Sequence, residues 1–149
     1  MTLSASPQIE AERRDAALTV LGILDTALPA ELGTDRAPER YTVAAVFSRR
    51  VSSDEQKAIE APAFRDELAS QGFPDVTLAV SDRRLLIGNT NLAMLESGLA
   101  AAIGAMLRAT HEQLAAEATR RADEAERWRL AEAERAAAVK VEADRVRFV

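Results

Sequence analysis

The chain has no cysteine in 149 residues, which excludes a disulfide framework, a thiolate nucleophile and any thiolate-held metal. A reducing compartment suits such a sequence, and a cytoplasmic location is expected. Histidine occurs once, at His111. It has no second histidine, serine or cysteine at usable spacing, so it reads as a solvated helix residue and not as a catalytic base. Aromatic residues are scarce at 4%, and alanine supplies much of the apolar content, so the core must be small and dominated by helices. Positive charge is also in deficit. The net charge of −5 runs against non-specific nucleic-acid binding, which needs surplus cations to displace counterions from phosphates.

Long apolar runs are missing as well. No segment reaches the roughly 18 uninterrupted apolar residues of a membrane span, and the opening MTLSASPQIEAERR lacks the basic and apolar regions of a secretory signal. Neither a glycine-rich phosphate loop, nor zinc-ligand spacing, nor a nucleophile elbow occurs. Carboxylates are plentiful, but they sit on polar faces or beside arginines. None is set up as the raised-pKa acid that a glycosidase-type pair requires. No enzymatic activity, cofactor or metal is therefore expected.

What is present is helix. Residues 91–110, NLAMLESGLAAAIGAMLRAT, carry Leu92, Leu95, Leu99, Ile103, Met106 and Leu107 at steps of three and four, with charge only at Glu96 and Arg108. That is the pattern of a buried helix. Gly98, Ala102, Gly104 and Ala105 add small residues that suit a close helix crossing in a soluble core. No glycine or proline interrupts the chain after Glu112, so one helix of nearly sixty residues is predicted from residue 91 to the end. The organisation that follows is an α+β head at 1–110 and a charged, alanine-rich helical arm at 111–149.

Within the head, Ser6-Pro7 supplies an N-cap and a first-turn proline. Ile9, Ala16, Ala17, Val20, Leu21, Leu24 and Leu28 then form a stripe, predicting an N-terminal helix over 7–28. A proline- and glycine-bearing linker leads to YTVAAVF at 41–47, whose composition predicts a central strand covered on both faces. Ser52 and Ser53, each followed three residues later by Glu55 or Gln56, offer two capping-box registers for the next helix. Pro62 either kinks that helix or opens a new turn, and Gly72 caps it. Residues 76–81 and 85–90 around the short SDRR turn read as a hairpin. The expected order is α-β-α-β-β-α, with a small three-stranded mixed sheet packed by helices. The first two strands are parallel through a right-handed crossover.

The arm is held by i,i+3 and i,i+4 pairs: Glu117 with Arg120 and Arg121, Asp123 with Arg127, Glu126 with Arg129, and Glu132 with Arg135. Its apolar seam follows an eleven-residue period through Leu114, then weakens to Ala118, Ala122, Ala125 and Trp128, and resumes at Val139, Val146 and Phe148. A helix over 111–149 would extend about 58 Å at 1.5 Å per residue, with a tryptophan far from any head core. These residues are the expected interface, with a second copy or a helical protein partner as the occupant.

One further constellation is suggestive. Arg49-Arg50 follow the first strand and Arg83-Arg84 the second, so parallel strands would bring all four to one sheet edge, beside the helix start at Ser53. Such an edge could take a phosphate-bearing or acidic ligand, although Asp54, Glu55 and Asp82 lie nearby. A non-enzymatic oligomerising or scaffold subunit is the expected function. The alternative is a small ligand-sensing domain using the arginine edge.

Overall fold

The computed structural model describes residues 16–149 and is α+β, with a four-stranded antiparallel sheet and a long C-terminal helix. The strands are β1 (Val20–Ile23), β2 (Tyr41–Phe47), β3 (Thr77–Ser81) and β4 (Arg84–Thr90), in the spatial order β1-β2-β4-β3. Between β2 and β3 come α1 (Ser53–Glu60) and α2 (Pro62–Ser70). After β4, a helical turn at Leu92–Met94 and a wider turn at Leu95–Leu99 lead into α3 (Ala100–Asp144). The chain divides into two compact units, one through Leu114 and one from Ala115.

Two expectations about the sheet are corrected. The predicted 7–28 helix falls partly outside the described residues, and its described part is not helical. Val20–Ile23 is an edge strand, followed by a single 3-10 turn at Asp25–Ala27. The stripe of Val20, Leu21 and Leu24 fits helical spacing over too few residues to distinguish it from a short strand. β-branched Val20 and Ile23 and the free edge of β2 favour extension, and Leu24 N–H then donates to Ala44 C=O at 2.8 Å. The sheet consequently has four strands instead of three. It is also wholly antiparallel instead of mixed, because β4 folds back between β2 and β3 and pairs with both. β2 and β3 still run the same way, since each is antiparallel to β4, but they are not neighbours.

Register places Val43, Ala45 and Phe47 of β2 beside Leu85 and Ile87 of β4, with Leu78 and Val80 of β3 on the same face. This face meets Ile59 of α1, Phe64 and Leu68 of α2, Leu95 and Leu99 of the turn before α3, and Ile103 and Leu107 of α3. Phe47, Leu68, Leu85 and Leu99 are fully buried, each stabilising the fold by about 1.5–3 kcal/mol. Only the middle of β2, Val43 to Ala45, is covered on both sides; Thr42 is exposed and Val46 half-buried.

Helix boundaries follow local chemistry. Ser52 is the N-cap that the structure selects, and the box with Glu55 is complete. Ala61 leaves helical geometry, so Pro62 opens α2 at its first position, where a missing N–H costs nothing. Gly72, at φ 99°, ends α2: Phe73 N–H donates to Leu68 C=O at 2.9 Å and Gly72 N–H to Ala69 C=O at 3.1 Å, a Schellman closure.

The long helix is not continuous from residue 91. Asn91 caps its first turn, accepting from Met94 N–H at 2.7 Å, but Gly98 adopts φ 154° and breaks the helix before Ala100. Only glycine takes that conformation readily. Gly98 thus acts as a break, in place of the close helix crossing its size suggests. At the other end α3 stops at Asp144, so Val146 and Phe148 lie past the helix and do not continue its stripe.

Candidate functional site

Three of the four arginines, Arg49, Arg50 and Arg83, line one cleft, and Arg84 does not. Because β2 and β3 share a direction, the loops that follow them lie at one end of the sheet, and Phe47 N–H donates to Arg83 C=O at 2.8 Å across them. An open cleft of about 540 Å³ lies there, with Ser48, Arg49, Arg50 and Arg83 in its wall. Arg84 opens β4 and is exposed.

Arg49, however, already has its anion. Its Nη1 and Nη2 donate to Glu55 Oε1 and Oε2 at 2.7 Å each, its Nε to Ala16 C=O at 2.9 Å, and Nη1 also to Arg50 C=O at 3.0 Å. Glu55 is 6% exposed and also accepts from Ser52 N–H at 3.0 Å, so its carboxylate occupies the helix N-terminus where an external anion would bind. Burial raises the Glu55 pKa, but the Arg49 hydrogen bonds, the Ser52 contacts and the Arg49 charge together outweigh it and hold the carboxyl below its ordinary value. Ser53 is the first residue of α1, exposed, and not the cap. Arg50 pairs with Asp82 at 3.3 Å in the open, and Arg83 Nη2 donates weakly to Ser48 C=O at 3.4 Å. What remains for an external ligand is Arg50, Arg83 and Arg84. The signal for the Arg49 pair was the capping-box Glu55 six residues after a strand-end arginine.

Leu114, the last residue of the first unit, is half-buried, and in the second unit Ala118, Ala122, Ala125, Trp128 and Val139 are exposed along α3. Trp128 is 68% and Val139 51% exposed. The predicted pairs Glu117–Arg121, Glu126–Arg129 and Glu132–Arg135 form. Sequence reasoning passed over Leu130 and Val141, which are 57% and 53% exposed. At about 100° per residue, both lie roughly 200° around the helix from Trp128. Each pair, Trp128 with Val139 and Leu130 with Val141, repeats at the same eleven-residue spacing, so α3 carries apolar side chains on two opposite faces. That spacing was readable, but a search for a single seam hides the second.

Chemistry elsewhere is sparse. Among the described residues no group of three or more His, Asp or Glu side chains could hold a metal, and His111 is half-buried without a hydrogen bond or ion pair. The helical stretch Leu92–Asp144 is, by length and composition, apolar enough in part to cross a membrane. Leu99, Ile103 and Leu107 belong to the hydrophobic core, although only 22% of the apolar window is buried. Compared with family models, characterised proteins and solved structures, the chain matches none.

Proposed function

We propose that this protein is a non-enzymatic assembly subunit whose C-terminal helix associates with further copies of itself or with a helical partner. The carrying observation is the exposure of Trp128, Leu130, Val139 and Val141, each more than half open, on a stretch of α3 from Ala115 onward that is otherwise almost wholly alanine and charge. Solubility disfavours such side chains, and the helix does not need them: its Glu–Arg pairs contribute about 0.2–0.5 kcal/mol each without any partner. Large apolar residues, tryptophan above all, are the usual anchors of a helix interface. Their opposed placement supports contact on both sides of the helix, as in a bundle, more than a two-stranded seam. Light scattering during size exclusion tests this, with Trp128→Ala as the control. A monomeric mass for the wild type across concentrations removes self-association, and Trp128 emission that stays water-like in cell extract removes a helical partner too.

A second reading, ligand sensing at the arginine edge, is favoured by the cleft beside Arg50 and Arg83. It is the weaker one because Glu55 already neutralises Arg49. A ligand bound only by the folded state raises the melting temperature, so a phosphate-dependent shift at low salt would support it.

A further inference from the structure

Val20 and Ile23 of β1 are displaced from where their register says they belong. They pair with Phe47 and Ala45, whose side chains point to the packed face of the sheet and are 0% and 1% exposed. Val20 and Ile23 share that face, yet are 37% and 43% exposed. A gap therefore lies between the β1 edge of the sheet and the first turns of α3. It measures about 280 Å³. Its cause is side-chain size: Ala45 on the strand and Ala100 and Gly104 on the helix face the space where larger residues would meet. Leu85, Ile87, Leu95, Ile103 and Leu107 close its inner walls.

Among the described residues, Arg108 is the only charged group in the lining. Its Nη1 lies 3.9 Å from where a Cβ on Gly104 would be, so the guanidinium is folded back along the helix toward the gap. No hydrogen bond or ion pair holds it among the described residues, unlike Arg49 and Arg50. Gly104 is also costly in mid-helix, about 1 kcal/mol against alanine, and contributes room at this wall.

We propose that this cavity binds an amphipathic monoanion: a carboxylate on an apolar body of roughly ten carbons, scaled from the benzene that a dry cavity of about 150 Å³ accepts. The apolar body fills the gap beneath Val20 and Ile23, and the acid group meets the Arg108 fork, which matches carboxylate geometry. The site lies wholly within the first unit and does not depend on self-association through the second.

Sodium decanoate, below its micelle concentration, is the probe, titrated calorimetrically into the full-length protein, with decanol and butyrate as neutral and short controls. Decanoate is expected to bind and to raise the melting temperature with concentration, and butyrate to do neither. Arg108→Gln should weaken decanoate about tenfold, the scale of one charge-assisted contact, while leaving decanol unchanged. Gly104→Leu, or Ala100→Leu should the first not fold, fills the gap and should abolish both, with the circular dichroism of the fold retained. Binding of decanoate weaker than about 1 mM overturns the proposal. Equal affinity in Arg108→Gln, or undiminished binding in a folded gap-filling variant, does so as well.

Discussion

Replacing Glu55 by alanine removes the carboxylate on which one end of the sheet is built. Two hydrogen bonds of 2.7 Å to Arg49 and one of 3.0 Å from Ser52 N–H are lost together. The side chains are 8% and 17% exposed, so the pair is shielded from water and Arg49 cannot simply swing out. Breaking one partner of a buried pair costs about 3–5 kcal/mol. Arg49 keeps the Ala16 and Arg50 carbonyls as acceptors, which places the expected loss near the lower end, about 3 kcal/mol. For a chain of this size that is a fall of roughly 6–12 °C in melting temperature. Urea unfolding of the wild type, Glu55→Ala, Arg49→Met and the double variant gives the coupling directly. The folded-state pKa of Glu55 lies below its ordinary value of 4.5, so its contribution is complete above that pH and is lost as pH falls through the lowered value. The gap between wild type and Glu55→Gln should therefore be full at neutral pH and narrow below pH 4.5. A loss under about 1 kcal/mol at pH 7, within the range of exposed surface pairs, would refute the account of a shielded pair.

Gly98→Ala should cost about 1–3 kcal/mol by thermal unfolding, because φ 154° strains any residue with a Cβ; a neutral result would mean that the break relaxes into regular helix. Leu99→Ala, at a fully buried position, should lose about 2–5 kcal/mol, whereas Leu130→Ala should stay within about 0.5 kcal/mol in dilute protein. Changing Arg50, Arg83 and Arg84 to serine while sparing Arg49 should leave the fold intact and remove any phosphate-dependent melting shift; a shift that survives places the anion elsewhere.

How far the sequence specified this fold depends on the residue. Tyr41 to Phe47, the Ser52–Glu55 box, Pro62 and Gly72 each carry a local signal that tertiary structure does not override, and each is where its chemistry places it. Val20 to Ile23 failed because four residues cannot separate a helical period from an extended one, and the deciding factor was the free edge of β2, a long-range fact. The sheet order failed for a related reason. A hairpin after a crossover can add its last strand outside or inside, and nothing local to Arg84–Thr90 says which. Gly98 was visible as a small residue, but nothing in its local sequence marks the φ of 154° it adopts beside Phe73. At the arginine edge, strand direction was enough to bring Arg49, Arg50 and Arg83 to one cleft, but not Arg84, which begins β4. Which of them is already satisfied depended on side-chain geometry that spacing does not encode.

If the exposed apolar residues of α3 form the proposed interface, the mass of the intact protein in solution must show it. Multi-angle light scattering across a concentration series should give a multiple of the 16.1 kDa chain for the wild type and a smaller mass for Trp128→Ala, with Trp128 emission shifting to the blue on association. A wild-type mass of one chain at every concentration, with Trp128 emission unmoved, would contradict self-assembly through this helix.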